Sequence, residues 1–460
     1  MPPAARGTFS PFREAGVYYA EGLCCTRATL FSIVRLACSF VCADRELESG
    51  GELRHAEAPG AARQPSHGAV EKFKENERNV IYFDNAATTL QKPPAVAQAI
   101  VDALGSFGGV GRGVHPASIA AGLAVYEARA AVAELLGAPG ADRVSFALNA
   151  TMALNIAIAG LLPRGGVAVT TAASHNSVLR PLNVARDERA CEVRVAPVFA
   201  NGALDFGAYE RMVQGANLVV ATHASNLTGD IYDAARMVCI AHEAGALFVL
   251  DAAQTAGTVP LDMGALGVDV LCFTGHKGLL GPQGTGGLCV AQDVEIAPLL
   301  EGGSGTHSFD ERHPRFMPEA LEAGTLNAHG LAGLTAGIAY VQQRGVANIA
   351  EHEASLVRAF RNGLTDISAI RVLGGGSDAG HCGIVAFNMG DVDSGLVADR
   401  LASGWGICTR AGAHCAPLMH KALGSEHQGA VRVSFGPFST SDEVGIALDA
   451  IAKIAEEVNA

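Results

Sequence analysis

The sequence has no uncharged apolar run of about 18 residues, the length that a helix needs to cross a membrane, so we expect no membrane partner. Basic residues are also few. There are 33 lysines and arginines against 46 aspartates and glutamates, and the resulting net charge of −13 argues against nucleic acid as a partner. The nucleotide-binding pattern Gly-x-x-x-x-Gly-Lys-Ser/Thr is absent. These absences exclude a membrane-spanning protein, a nucleic-acid-binding protein and a P-loop enzyme.

Eleven cysteines are present without a Cys-x-x-Cys pair, so the sequence indicates neither a zinc ribbon nor a disulfide framework. An odd number of scattered cysteines is typical of a reducing compartment, and we predict a cytoplasmic location. Residues 1–75 contain four of the cysteines, a short apolar piece and a long polar run, and differ from the rest of the chain. We interpret this segment as a disordered extension, or as the product of a start upstream of the real one.

Six short apolar runs follow Val80, and each has the length and the composition of a strand that is buried on both faces. They are VSFA (144–147), VAVTT (167–171), LVVAT (218–222), LFVL (247–250), VLCF (270–273) and GLCV (287–290). Helix-period segments lie between several of them, and this alternation predicts an α/β domain with a mostly parallel sheet. The pattern changes near residue 345. We therefore predict a large domain of residues 93–344 and a smaller α+β domain of residues 76–92 and 345–460.

Polar residues follow the predicted strands, at the edge where an open α/β sheet binds its ligands. They are Thr151, His175, Asn226, Asp251, Gln254, His276 and Lys277. A lysine in a tight turn can form a Schiff base with pyridoxal phosphate, a carboxylate can keep the ring nitrogen protonated, and groups at a helix N-terminus can bind the phosphate. Taken singly, Asp251 could be a helix cap and Lys277 a solvated surface lysine. Taken together on one sheet, these residues predict a pyridoxal phosphate site.

Ten motifs extend over nearly everything from Ile81 to the C-terminus. They are YFDNAATT (82–89), RGVH (112–115), TMALN (151–155), SHNSVLRP (174–181), THASNLTG (222–229), LDAAQTAG (250–257), FTGHKGLLGPQGTGG (273–287), EAGTLN (322–327), RAGAHCA (410–416) and VRVSFGPF (431–438). In these motifs and their order, the chain resembles the class V aminotransferase-like family, most closely its cysteine desulfurase and selenocysteine lyase branch. The resemblance implies the pyridoxal-phosphate transferase fold (type I aminotransferase-like), in which a large domain with a mostly parallel sheet precedes a smaller α+β domain.

The resemblance also implies how the cofactor, pyridoxal 5'-phosphate, is bound. Lys277 would hold it as a Schiff base and move the Cα proton of the substrate. Asp251 would pair with the ring nitrogen and Gln254 with the phenolic oxygen, while His175 would stack on the ring. The residues expected to hold the phosphate are Thr151, Thr274 and His276.

Other motif residues are assigned by the resemblance to the substrate, L-cysteine, and to a partner subunit. Asn226 and Arg432 would bind the substrate carboxylate, with Arg410 close to it, and Asn85 would line the entrance for the substrate. Thr325 matches a threonine that reaches the phosphate of the partner subunit in this family. The resemblance therefore implies a homodimer.

Cys415 directly follows His414 in a loop rich in glycine and alanine, and this setting predicts a thiol with reach rather than a buried structural one. The resemblance implies that Cys415 takes sulfur from L-cysteine, leaving L-alanine, and delivers it as a persulfide to an acceptor protein, with iron–sulfur cluster assembly among the candidate pathways. His414 and Arg410 would place positive charge near the thiolate. The alternatives are a structural cysteine, or a metal site of His414, Cys415 and His420, although we expect no metal because no further ligand is evident from the spacing.

Two positions depart from the family pattern. Met152 stands where an acidic residue is common, and Ser174 stands where an acidic residue often precedes the histidine. Three functions are therefore weighed: a cysteine desulfurase, a selenocysteine lyase or another lyase or aminotransferase of the family, and a scaffold that binds cofactor but mainly docks partners. The cysteine desulfurase is the favoured function, and the retained Lys277, Asp251, Arg432 and Cys415 argue against the scaffold.

Overall fold

A computed structural model of the chain describes residues 80–111 and 113–459. The predicted extension, residues 1–75, lies outside the described residues. The strands are β1 (Ile81–Tyr82), β2 (Val144–Ala147), β3 (Val167–Thr171), β4 (Glu192–Ala196), β5 (Leu218–Thr222), β6 (Leu247–Asp251), β7 (Val270–Thr274), β8 (Gly286–Val290), β9 (Ile370–Leu373), β10 (Ile384–Met389), β11 (Ile407–Cys408), β12 (Arg410–Gly412) and β13 (Ala430–Ser434).

The α-helices of the same residues lie between most of the strands in the chain order. They are α1 (Pro94–Ser106), α2 (Pro116–Leu136), α3 (Ala150–Leu161), α4 (Asn176–Arg189), α5 (Phe206–Val213), α6 (Ala234–Glu243), α7 (Met263–Leu266), α8 (Ala328–Arg344), α9 (Val346–Thr365), α10 (Ser394–Trp405), α11 (Pro417–Leu423) and α12 (Ser441–Asn459). None of the described helices is long and apolar enough to span a bilayer.

The larger sheet has seven strands in the order β2-β8-β7-β6-β5-β3-β4. Strands β4, β3, β5, β6 and β7 are parallel to one another. Strand β8 is antiparallel to both of its neighbours, β2 and β7. All six apolar runs are strands of this sheet, so the predicted α/β class with a mostly parallel sheet is confirmed. The seventh strand, β4, was not predicted. It lies at the sheet edge and carries Glu192 and Arg194, so it lacks the apolar run that marks the others.

The faces of this sheet are covered by helices because both faces are apolar. In β5, Leu218 and Val220 belong to the buried cluster that includes residues of α3 and α4. Val219 and Ala221, which alternate with them, belong to the cluster that includes residues of α2, α6 and α8. Successive side chains of a strand point to opposite faces, so each strand is fixed from both sides. The carboxyl ends of the parallel strands are consequently held at one edge.

The second sheet has four antiparallel strands in the order β12-β13-β10-β9. Arg410 in β12 pairs with Arg432 in β13. The N-terminal strand β1 pairs in parallel with β11, and Asp84 forms a bridge with Ser434. These pairings bring the YFDNAATT motif next to the C-terminal motifs. The described residues belong to one compact unit, and the division into a large and a small domain stays a prediction.

Candidate active site

The polar residues at the strand ends surround one cavity of about 200 Å³. Eight of the predicted residues line it: Thr151, His175, Asn226, Asp251, Gln254, Thr274, His276 and Lys277. Strands β5, β6 and β7 are neighbours in the sheet, so their carboxyl ends bring Asn226, Asp251 and Lys277 to the same edge. We call this space the strand-end cavity.

Lys277 and Asp251 are the charged pair of the strand-end cavity. Burial, followed by the nearby Arg432 guanidinium, lowers the pKa of Lys277 to about 8, and the Asp251 carboxylate offsets part of this effect. Asp251 is buried at the end of β6, and its Oδ1 accepts a hydrogen bond from the Ala253 N–H at 3.0 Å. Burial raises the pKa of Asp251, while this hydrogen bond and the charge of Lys277 oppose the rise. The arrangement gives a reactive amine close to a carboxylate.

The phosphate-binding residues expected from the resemblance line the strand-end cavity together with the N-terminus of α3. The Thr274 hydroxyl and His276 Nδ1 are buried and have no hydrogen-bond partner among the described residues. Thr151 lies in the first turn of α3, where unpaired backbone N–H groups favour an anion. The cost of burying unpaired polar atoms is relieved when a ligand supplies acceptors. Together with the Lys277 amine and the Asp251 carboxylate, these groups fit pyridoxal phosphate.

His175 is neutral in this environment. Burial and the positive charges of Lys277 and Arg410 lower its pKa to about 4. The ring caps α4, because its Nδ1 accepts a hydrogen bond from the Ser177 N–H at 3.0 Å. A neutral imidazole with an accepting Nδ1 carries its proton on Nε2. Ser177 also bridges the ring to Thr151, since its hydroxyl lies 2.9 Å from His175 Nδ1 and 2.8 Å from the Thr151 hydroxyl.

The amides Gln254, Asn226 and Asn85 are held by backbone carbonyls. Gln254 donates to the Ala86 carbonyl at 3.2 Å, and Asn226 donates to the His414 carbonyl at 2.7 Å. Asn226 Oδ1 is buried without a partner among the described residues. Asn85 donates to the Ser434 carbonyl at 2.9 Å and lines a smaller cavity that also contacts Gln254 and Lys277. Asn85 therefore lies beside the strand-end cavity rather than in it.

Arg432 is buried, with 1% of its surface exposed, and is held by two acceptors. Its Nη2 donates to Asp84 Oδ1 at 2.7 Å and its Nη1 to the Asn226 carbonyl at 2.9 Å. Its Nε has no partner in the described part of the chain. Asp84 was not assigned a role from the sequence, although it lies in the YFDNAATT motif. The sequence does not show that this motif supplies the counter-ion of Arg432. The structure shows it, because β1 and the residues after it pair with the C-terminal strands.

Cys415 is a free, partly exposed thiol between β12 and α11. It lines a second cavity of about 500 Å³ together with His175, Thr151 and Ser177, so the thiol opens onto the side of the strand-end cavity where His175 lies. The sequence predicts a loop that lets the Cys415 thiol move freely, but the loop in the structure is constrained. The Cys415 carbonyl accepts from the Asn176 N–H at 2.9 Å, and both His414 and Cys415 have left-handed backbone angles, with φ of 49° and 56°. The loop is tied to the first residue of α4.

His414 does not supply the positive charge expected near Cys415. It is buried, and burial together with the charge of Arg432 lowers its pKa to about 3, so the ring is neutral. Its Nε2 lies 3.0 Å from the Ala430 carbonyl and its ring stacks on His420, with centroids 6.1 Å apart. Arg410 remains as the cation whose charge reaches His175 and Lys277. Within residues 80–111 and 113–459, no group of three or more His, Cys, Asp or Glu side chains could hold a metal ion, so the metal-site alternative lacks support.

Comparison with known proteins identifies the family. The model of the family described as aminotransferase class-V matches residues 81–446. The chain belongs to this family. A probable cysteine desulfurase of Methanothermobacter thermautotrophicus is 35% identical over 387 residues, which are 82% of this chain and 95% of the relative. A cysteine desulfurase of Haloferax volcanii is 32% identical over 81% of this chain and 88% of the relative.

Solved structures agree with this placement. The apo structure of a cysteine desulfurase from Thermococcus onnurineus has a TM-score of 0.78 at 34% identity and covers 86% of this chain and 100% of its own. The cysteine desulfurase CsdA from Escherichia coli has a TM-score of 0.74 at 27% identity and covers 84% and 98%. Within the aminotransferase class-V family, the chain thus lies on the cysteine desulfurase branch, and it has the pyridoxal-phosphate fold of these enzymes.

Three family positions lie away from the strand-end cavity or differ from the family pattern. Thr325 is exposed and lines a separate cavity of about 230 Å³ that Met152 also lines. Its contact with the phosphate of a partner subunit stays a prediction. Ser174 is fully buried and accepts a hydrogen bond from the Thr170 hydroxyl at 2.9 Å. A small hydroxyl is thus accommodated where the family often has a carboxylate.

Proposed function

We propose that this chain converts L-cysteine to L-alanine and transfers the sulfur to Cys415. The observation that carries the proposal is the cavity shared by Cys415, His175 and Thr151, because it connects a free thiol with residues that also line the strand-end cavity. When bound, pyridoxal phosphate supplies an electron-poor ring that withdraws electrons from the substrate Cα. The remaining steps belong to the side chains of the chain.

Binding and orientation of L-cysteine fall to Arg432, Asn226 and Asn85 in this proposal. The Nε–H of Arg432 has no partner among the described residues, so it is available to donate to the substrate carboxylate. Asp84 and the Asn226 carbonyl fix the other two nitrogens of the guanidinium and hence the direction of that N–H. Asn226 lines the strand-end cavity, so we place the carboxylate beside Asn226.

Proton movement and hydrogen-bond donation fall to Lys277 and His175. A pKa of about 8 leaves a sizeable fraction of the Lys277 amine neutral at physiological pH, so it can take the Cα proton of the substrate. Asp251 keeps the ring nitrogen of the cofactor protonated. His175 is neutral with its proton on Nε2, so it can donate a hydrogen bond from Nε2 on the side of the cavity that faces Cys415.

The sulfur step uses Cys415 as a nucleophile. Its thiolate attacks the sulfur of L-cysteine, so that an S–S bond forms while the Cβ–S bond of the substrate breaks. The electron pair of the broken bond stays with the carbon skeleton, which takes up protons and leaves as alanine. The carbon is reduced and the sulfur is oxidised to the persulfide level, so the step needs no external oxidant. Arg410 supplies the positive charge on this side of the site.

Further parts of the proposal concern partners and location. The exposed Thr325 would complete the cofactor site of a second copy, which makes the working enzyme a homodimer. An acceptor protein would take the persulfide sulfur from Cys415, for example in iron–sulfur cluster assembly. A reduced Cys415 is needed for each cycle, and this fits the cytoplasm.

The test is alanine release from L-cysteine by the cofactor-loaded enzyme with a thiol reductant present. We expect the wild type to release alanine and Cys415→Ala to release almost none. Cys239→Ala is the matched control, because Cys239 is an exposed free thiol on α6, and it should behave as the wild type. Equal alanine release by wild type and Cys415→Ala would overturn the role of Cys415 and favour another substrate, with selenocysteine tested first.

A further inference from the structure

Three cavities follow one another through the molecule, and they share lining residues. The strand-end cavity shares Gln254 and Lys277 with a small cavity of about 30 Å³. The small cavity in turn shares Thr258, Glu353 and Cys382 with an outer cavity of about 550 Å³. Cys415 lines none of these three, so this route leaves the site on a different side from the sulfur acceptor.

Glu353 occupies an unusual position for a carboxyl group. It is the single charged residue among the six buried positions of α9, where the others are Ile349, Leu356, Val357, Phe360 and Leu364. Only 3% of its surface is exposed. Burial of an unpaired carboxylate is costly, so the group responds by staying protonated. Accordingly, burial raises the pKa of Glu353 to about 8, although the Gly383 N–H and the charge of Arg344 oppose the rise.

The surroundings of Glu353 supply no close counter-ion among the described residues. On the inner side it faces Gly383, where an added Cβ would lie 2.7 Å from its Oε2, and it shares the cavity wall with the neutral thiol of Cys382. On the outer side the cavity is also lined by Arg361, His381 and Glu351. His381 is paired with Asp230 at 3.0 Å, and Glu351 with Arg358 at 2.7 Å. Glu353 is therefore a protonated carboxyl group that lies between the small cavity and the outer cavity.

The small cavity is large enough for about two or three water molecules, because roughly 10–15 Å³ of such space holds one. A buried water needs two to four polar partners, and the Lys277 amine, the Glu353 carboxyl, the Gln254 amide and the Thr258 hydroxyl line this space. Water here would form a hydrogen-bonded connection from Lys277 to Glu353. From Glu353 the outer cavity continues the connection.

We propose that Glu353 exchanges protons between Lys277 and solvent through water in the small cavity. The inference rests on the proposed function, in which Lys277 takes the Cα proton of the substrate. The exchange is acid–base only. An N–H bond of the Lys277 ammonium breaks as water takes that proton, an O–H bond of Glu353 breaks as its proton passes to the outer cavity, and each group is reprotonated from its other side. Glu353 touches neither substrate nor cofactor and acts through Lys277.

The test follows the Cα hydrogen of the substrate. The cofactor-loaded enzyme is given L-cysteine deuterated at Cα in ordinary water, and the deuterium retained in alanine is measured by mass spectrometry. We expect the wild type to lose most of the label and Glu353→Gln to retain several-fold more. Glu351→Gln, which changes a carboxylate of the outer cavity only, should match the wild type. Glu353→Asp should lie between the two, because it keeps an acid but shortens the side chain.

The outcomes separate this inference from the proposed function. If the wild type makes no alanine, the proposed function fails. If alanine is made but retention is the same in wild type and Glu353→Gln, the proton-exchange role is overturned while the proposed function stands. A role of Glu353 only in anchoring Gly383 would lower stability in these variants without changing retention.

A second readout needs no turnover and no cofactor. In the cofactor-free chain at neutral pH, infrared spectroscopy should show the carbonyl band of a buried protonated carboxylic acid that is absent from Glu353→Gln. Glutamine keeps an oxygen that can accept from the Gly383 N–H, so we expect this variant to fold. Identical spectra for the two proteins would overturn the inference.

Discussion

The strand-end cavity and the Cys415 loop are positioned by different means. The cavity residues follow parallel strands whose side chains are packed on both faces, so sheet register fixes Asp251 and Lys277. The loop has no such support. It depends on left-handed backbone angles at His414 and Cys415 and on hydrogen bonds from the Asn176 N–H and the Asn226 side chain. The strand-end cavity can therefore persist when the loop is altered, whereas the position of Cys415 depends on α4 and Asn226.

The largest loss of activity should come from a substitution in the strand-end cavity. Lys277→Ala removes the amine that we propose takes the Cα proton, and positioned acids and bases contribute about 10²–10⁴-fold to rates. We expect a loss of alanine formation in that range, measured by chromatography. Lys421→Ala, at an exposed position of α11, is the control and should leave the rate unchanged. A Lys277→Ala enzyme that keeps more than about a tenth of the activity would contradict the assignment.

The second prediction concerns the ion pair between Arg432 and Asp84 of the N-terminal motif. Removing this pair tests whether Asp84 orients Arg432 beside the cavity. Asp84→Ala leaves the buried guanidinium without its carboxylate partner, and breaking such a pair costs about 3–5 kcal/mol. We expect a loss of stability in that range in urea unfolding, with a higher KM for L-cysteine. Asp84→Asn keeps an acceptor for Arg432 and should lose less. Wild-type stability and KM in Asp84→Ala would show that the pair does not orient Arg432.

The neutral His414 provides a pH test of the loop. Burial lowers its pKa from 6.5 to about 3, so between these values the folded chain binds fewer protons at His414 than the unfolded chain. The stability from this residue is complete above pH 6.5 and is lost as the pH falls. In His414→Gln, the loss of unfolding free energy between about pH 7 and about pH 5 should be smaller by about 2 kcal/mol. The same loss in both proteins, measured by urea unfolding, would contradict a buried neutral ring.

The smallest expected effect comes from removing the hydrogen bond between the Asn176 N–H and the Cys415 carbonyl, which ties the loop to α4. Asn176 is the first residue of α4, where proline is tolerated, and His175 before it already has extended backbone angles. Asn176→Pro removes the Asn176 side chain and the N–H that binds the Cys415 carbonyl, a hydrogen bond worth about 0.5–1.5 kcal/mol. We expect sulfur transfer to slow by about 2–10-fold with cofactor affinity unchanged. Asn176→Ala keeps the N–H and should match the wild type, and equal rates in all three proteins would show that the tether does not position Cys415.

Most of the fold, and the grouping of polar residues around the strand-end cavity, could be predicted from the sequence because the relevant signals are local. Apolar runs mark β5, β6 and β7, and polar residues follow them directly. Features that depend on distant contacts could not be predicted. The Asn176 N–H has no side-chain signature, the Asp84–Arg432 pair joins opposite ends of the chain, and the neutral state of His414 results from burial. Glu353 also looks like an ordinary helix residue until its neighbours are known.

The central claim is that Cys415 receives the sulfur of L-cysteine. The most direct measurement is mass spectrometry of the Cys415 peptide after the cofactor-loaded enzyme has reacted with L-cysteine and thiols have been trapped with an alkylating reagent. The account predicts one added sulfur atom on Cys415, in step with the first equivalent of alanine, and none on Cys408. Alanine formed in the first turnover with no added sulfur on Cys415 would contradict it.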